Sequence, residues 1–270
     1  MPFTLSHAAA ALPFRRLEPV WPALVIGTFA PDLQYFIWIS DENRSGHQFP
    51  EVLLFTLPLA LLVLWIFERI VKAPVIELLP SGAQRRLQDK IEPMSFRGWQ
   101  QFLAIVLWAA VGIGTHIFWD QFTHGHTWMA VHWRLLRHTV PFPFGAPVRV
   151  LTILQHASTV LGSLALIVWV GAWYRRTKPV PEAAIEQMSS LRKSAVALTM
   201  AVIAALAGYP LAIFRLADHK PPINPLFLIA TMLEAMTLLI CFQLLIYCLT
   251  RTLGAHVPSL ASAQLDEDDR

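Results

Sequence analysis

Charge and cysteine are both scarce in this chain, and each scarcity removes a class of protein from consideration. Only 14% of the 270 residues are charged, against 55% hydrophobic, and the mean hydropathy is +0.50. That composition lies far from soluble domains, where roughly 25% of residues are charged, and it marks a membrane protein. The two cysteines, Cys241 and Cys248, both fall inside the last apolar stretch, so neither a disulfide framework nor a thiolate zinc site is implied. The net charge of +3 and pI near 9.1 come from basic residues spread over loops with no aromatic interleaving, which excludes a nucleic-acid interface. No charged region precedes the first apolar stretch in MPFTLSHAAAALPFRR, so no secretory signal is expected and the N-terminus is expected to be kept. Repeats and low-complexity tracts are also missing.

What is present is a series of long apolar runs. Crossing a hydrocarbon core of about 30 Å takes roughly 20 apolar residues. Val52 to Val71, Phe102 to Trp119, Leu151 to Tyr174, Ala195 to Leu216 and Leu226 to Thr250 all meet that length. A sixth candidate, Val20 to Ile39, is interrupted by Pro22, Gly27, Pro31 and Asp32 and reads as re-entrant or interfacial. Pro58 and Pro210 inside the spans predict kinks that neighbouring helices satisfy. Pro80, Ser81 and Gly82 break the connection after the first span, and a short interfacial helix is expected around Ala83 to Ile91. The expected fold is all-α, a polytopic membrane helix bundle with five transmembrane helices and that N-terminal segment. It is read as a single integral-membrane domain, residues 1–270, with a metal-site half over 1–150, supporting helices over 151–260 and a disordered acidic tail over 261–270.

Lys and Arg in the loops orient the chain. Lys72, Arg85, Arg86, Lys90 and Arg97 follow the first span, and Arg175, Arg176, Lys178, Arg192 and Lys193 follow the third. The other two connections have Arg134, Arg137 and Arg149, and Lys220 alone. By the positive-inside rule the first pair of loops and the C-terminus are cytoplasmic, in a multi-pass protein of the cell inner membrane.

The richest polar signal is His116, Asp120 and His124 in THIFWDQFTH, at the outer end of the second span. Four-residue steps stack them on one helix face, about 6 Å apart along the axis. Imidazoles with a carboxylate suit zinc or another first-row divalent metal, and charged groups at membrane depth are costly enough to point to function rather than packing alone. Asp32, after Pro31, and His47, in SDENRSGHQFPE, are candidate ligands on the same side; His7 joins them only if Val20 to Ile39 does not cross fully. His126 is placed to give a supporting or substrate contact, whereas His132, His138, His156, His219 and His256 read as interfacial or loop residues. A structural account competes, in which Asp120 pairs with Arg134 or Arg137.

MPFTLSHAAA, ALVIGTFAPDLQYF, GHQFPEVLLFTLPLALL and GTHIFWDQFTH together resemble a bacterial integral-membrane family known as domain of unknown function 4184. The likeness covers most of the first half and weakens after about Val150. More distantly, the order of an N-terminal His, a Pro-Asp pair, an internal His and a final His-xxx-Asp helix is similar to membrane-bound metal-dependent hydrolases of the YdjM type, themselves like zinc-dependent phospholipases C. That resemblance implies His7, Asp32, His47, His116 and Asp120 as the metal shell, with no counterpart for His124. The chain departs from the pattern at SGHQFPE, where one His stands and two are expected, so a mononuclear site, or a second ion held partly by His124, is implied.

A site of this kind activates water and polarises a carbonyl or phosphoryl oxygen. Glu51 and Asp41, beside His47, are the candidate catalytic bases. Trp119, Trp128 and Trp133 surround the outer end of the span, where a lipid, lipid-linked or phosphoester substrate would meet the site, with Arg134 and Arg137 as candidate phosphate ligands. Membrane lipids are therefore the expected partners. Two other functions remain open from the residues: a metal- or proton-handling transporter, for which the mid-span Glu234 is the residue of interest, and a non-catalytic scaffold.

Overall fold

The structure is a computed structural model that describes residues 4–17, 20–34, 49–141, 147–180, 188–217 and 225–254. Helices dominate it, and five are long and apolar enough to cross a membrane: Val52–Leu78, Trp99–His132, Val150–Arg176, Ser190–Arg215 and Thr231–Gly254. They overlap the five apolar runs one for one. The chain divides into two compact units, residues 1–65 with 94–178, and residues 66–93 with 179–270.

The first unit carries the polar cluster. It opens with a 3-10 helix, Thr4–Phe14, followed by a short α-helix, Trp21–Gly27, and a second 3-10 turn, Ala30–Leu33. Proline opens each of the last two: Pro22 and Pro31 sit in the first helical positions, where the missing N–H leaves nothing unsatisfied and φ is already helical. The Trp21 indole N–H donates to the Ala11 carbonyl at 2.9 Å and ties the first two pieces together. Seven residues of α-helix rise only about 10 Å, so this part of Val20 to Ile39 is a broken segment rather than a span; residues 35–39 lie outside the described residues.

The helix Trp99–Thr123 forms the centre of the unit. Its buried residues, Ile105, Ala109, Gly112, Ile113, His116, Asp120 and Thr123, recur at three- and four-residue steps and so lie along one stripe. Against that stripe pack Val20, Ala23, Ile26 and Ala30 from the N-terminal segment, and Ala60 and Leu64 from the first span. The closest approach is at Gly27 and Gly112. A Cβ built on Gly27 would lie 2.3 Å from the Ala109 carbonyl oxygen, and one on Gly112 would lie 2.3 Å from that of Leu24. Backbone meets backbone here, as small residues permit between membrane helices.

Pro58 does not interrupt the first span. A π turn, Val52–Thr56, ends two residues before it, and such a wider turn makes room for the ring. After the helix Trp99–Thr123 come two short helices, Trp128–His132 and Arg134–Arg137, and an antiparallel pair of two-residue strands, Thr139–Val140 with Val148–Arg149. Ala130, Leu136 and Leu151 form a small second core against Phe122.

In the second unit a short helix stands where one was expected, Ser81–Leu87, followed by a 3-10 turn, Gln88–Lys90. Ser189 caps Ser190–Arg215 by accepting from the Arg192 amide, and Pro210 lies inside that helix. Gly208 meets Met236 of the fifth span's helix, Pro225–Gly254. The charged ends pair within the unit: Lys72 with Glu68, Arg251 with Glu77 at 2.9 Å, and Lys193 with the Leu79 carbonyl at 2.9 Å. The acidic tail, 261–270, lies outside the described residues.

Gly27→Ala and Gly112→Ala each force the two backbones apart, and each is expected to destabilise the protein by about 2 kcal/mol, the usual scale of overpacking. Thermal unfolding in detergent should show a lowered midpoint for both. Gly171→Ala, whose Cβ meets nothing within 4 Å, should leave the midpoint unchanged or slightly raised.

Candidate metal centre

Four polar side chains from three elements of the first unit converge beneath the Gly27–Gly112 contact. His116 and Asp120 stand one turn apart on the buried stripe of the second span. Thr28 caps the short helix, and its carbonyl accepts from His116 Nδ1 at 2.7 Å. That bond fixes the tautomer: a neutral His116 then presents the lone pair of Nε2 to the cluster. Nε2 lies 3.2 Å from Asp120 Oδ2 and 3.5 Å from Asp32 Oδ1.

Asp32 is aimed by a second bond. The Thr4 hydroxyl donates to its Oδ2 at 2.8 Å, linking the first 3-10 helix to the second 3-10 turn. His7, one 3-10 turn beyond Thr4, stacks on His116 with ring centroids 4.0 Å apart, and its Nε2 is 3.9 Å from Asp120 Oδ1. The four are nearly sealed from solvent, with relative exposures of 8% for His7, 2% for Asp32, 1% for His116 and 6% for Asp120.

Two carboxylates this deep need a compensating positive charge, because an isolated buried ion costs several kcal/mol. A divalent cation or an imidazolium can supply it, and the donor spacing accommodates the ion. Donor atoms on one tetrahedral ion at bond lengths of about 2.0–2.1 Å lie about 3.3 Å apart, close to the 3.2 and 3.5 Å found around His116 Nε2. His7, His116 and Asp120 each offer one ligand atom, and these lie within 4.8 Å of one another. His7 Nε2 is buried with no hydrogen-bond partner, an arrangement a cation would complete. Burial pushes the His7 imidazole down to about 4, toward the uncharged form that binds metal. The buried group can therefore hold a metal ion.

His124 departs from the expected stack. The helix ends at Thr123, and His124 is its cap with extended backbone, φ −113° and ψ 132°. Its amide still reaches the Asp120 carbonyl at 3.1 Å, so the side chain stays near the cluster, with Nδ1 3.5 Å from Asp120 Oδ1 and 3.1 Å from the Thr123 hydroxyl. The last four-residue step is thus not helical, and His124 flanks the centre from a partly exposed position, its side chain 23% accessible.

The other candidates are placed differently. His47 and Asp41 lie outside the described residues. Glu51 caps the first span and makes no hydrogen bond or ion pair with the cluster. Arg134 and Arg137 are exposed, and Arg137 donates to the Val131 carbonyl at 2.8 Å. Asp120 faces histidines rather than either arginine. His126, His132, His138 and His156 are exposed; His132 stacks on Trp128 and bonds its carbonyl. Glu234 belongs to the second unit and is exposed on the fifth span.

Two contributors escaped the sequence reading. The Thr28 carbonyl is a backbone group and has no signature. Thr4 does have one: it precedes His7 by three residues, and i, i+3 side chains eclipse on a 3-10 helix.

Thr4→Val removes the bond that aims Asp32 and should weaken divalent-metal affinity by roughly 10- to 100-fold, the usual effect of losing a ligand's supporting partner. His7→Ala and Asp120→Ala should lose the ion outright, and His126→Ala should retain it. Metal content by mass spectrometry after dialysis checks all four variants.

Comparison with curated proteins and with solved structures returned no match. The profile of the family described as domain of unknown function DUF4184 matches residues 1–250. The match continues well past Val150 and reaches into the fifth span. The chain therefore belongs to the DUF4184 family.

Proposed function

We propose that the protein is a membrane-bound, metal-dependent hydrolase acting on a lipid, lipid-linked or phosphoester substrate at the outer face of the inner membrane. One observation carries this reading: His7, from the N-terminal 3-10 helix, and His116 and Asp120, more than 100 residues later on the second span, place three ligand atoms within 4.8 Å of one another in a buried site. An all-nitrogen and oxygen donor set without thiolate favours zinc or another first-row divalent ion. Such an ion, when bound, supplies Lewis-acid polarisation of an ester or phosphoryl oxygen and activation of water.

The chain's own residues do the rest. Thr28 holds His116 in the tautomer that faces the centre, and Thr4 holds Asp32. His124, partly exposed and 3.5 Å from Asp120, is suited to carry a proton between the buried carboxylate and the surface. Glu51 and Asp41 stay as candidate bases for substrate-bound geometry, where Glu51 would have to come closer than it stands here. Arg134 and Arg137 lie beyond the same end of the second span and are suited to meet a headgroup phosphate. The asymmetry of Lys and Arg between loops supports an outward-facing site and a cytoplasmic C-terminus.

His124→Ala should lower kcat by about 10²- to 10⁴-fold, the range for a general acid or base, while metal content stays at the wild-type level. Assays of purified protein against phospholipid and phosphomonoester panels, with paired metal analysis, check this. Stoichiometric metal with no turnover on any ester, but metal uptake into proteoliposomes, would favour a transporter instead.

A further inference from the structure

A cleft of about 730 Å³ runs beside the cluster on the neighbouring face of the second span. Its walls come from Ala9 and Ala10 of the N-terminal 3-10 helix, from Val111, Gly114 and Phe118 of the second span, and from Leu161 of the third. Val111, Gly114, Thr115 and Phe118 follow the i, i+3, i+4, i+7 pattern, so the cleft tracks one helix face for roughly 10 Å along the axis. Its volume is in the range of sites that enclose a ligand, about 300–1,000 Å³.

Three facts identify what fills it. Both flanking helices are membrane spans, so the medium at this face is hydrocarbon. The lining is mainly apolar, with Val111, Phe118 and Leu161 all exposed. His7 belongs to the wall, and the same ring stacks on His116 at 4.0 Å. One imidazole therefore separates an apolar slot from the polar cluster. That juxtaposition matches a molecule with an alkyl chain at one end and a polar linkage at the other.

We propose that this cleft is an acyl-chain site, entered sideways from the bilayer, which holds the tail of a membrane lipid while its ester or phosphoester end meets His7. Occupancy by a chain stands on the cleft alone. Its role as the substrate's tail site rests on the proposed hydrolase function.

Gly114 gives the means of testing it. It lines the cleft, and a Cβ there meets nothing within 4 Å, so a larger side chain starts from open space beside the slot. The protein would be reconstituted in nanodiscs containing a phosphatidylcholine with a diazirine on its acyl chain, irradiated, and mapped by peptide mass spectrometry. Wild type and Gly114→Ala should cross-link within residues 111–119 and 158–162. Gly114→Phe should reduce that yield about tenfold, as a filled cavity excludes its ligand, and Gly171→Phe, on the third span outside the cleft, should not. Cross-links spread evenly over all spans, equal yields in Gly114→Phe and Gly171→Phe, or a dimer that Gly114→Phe dissolves would overturn the proposal. Metal content is read on the same samples. Cross-linking at the cleft in protein without metal would retain the acyl-chain site and remove the hydrolase reading.

Discussion

The contact between Gly27 and Gly112 governs the first unit. Hydrocarbon gives helices no hydrophobic reason to associate, so close packing and polar bonds must hold them. With no Cβ on either glycine, the short N-terminal helix can settle its last turn directly on the middle of the second span. Thr28 follows immediately, and its carbonyl is then delivered to His116. Asp32 arrives four residues later on a turn opened by Pro31. The order of the cluster's parts is thus the order of a packing argument: glycine contact, carbonyl, carboxylate.

Within that frame the electrostatics leave little latitude. Asp32 and Asp120 both approach the same imidazole nitrogen in a nearly solvent-free site. Breaking a buried charge pair typically costs about 3–5 kcal/mol, so the site is sensitive to its charge balance. His7, whose Nε2 has no hydrogen-bond partner, adds a donor without adding charge. A divalent cation answers both features at once, balancing two carboxylates and taking two imidazole lone pairs. The adjoining cleft extends the same logic outward, since His7 is at once a donor of the cluster and a wall of the apolar slot.

The spans were legible because length and apolarity alone specify them, and all five are present. His116 and Asp120 were legible for a related reason: two ionisable groups four residues apart on an apolar helix have few other uses. Asp32 and His7 could be named, yet the packing that brings them in depends on two glycines whose partners no periodicity reveals. His124 was placed one step too far along the helix, because nothing in THIFWDQFTH announces that the helix stops at Thr123. The Arg134 and Arg137 pair read as a headgroup site from composition, whereas Arg137 engages a local carbonyl. The cleft was invisible, because its face is ordinary lipid-facing sequence until the third span and the N-terminal helix are set beside it.

X-ray absorption spectroscopy on the purified, metal-replete protein tests the central claim most directly. The account predicts one tightly held divalent ion with nitrogen and oxygen ligands at about 2.0–2.1 Å, imidazole scattering from two histidines, and no sulfur at about 2.3 Å. A protein that retains no ion after dialysis, or an ion whose imidazole scattering is unchanged in His116→Ala, would contradict it.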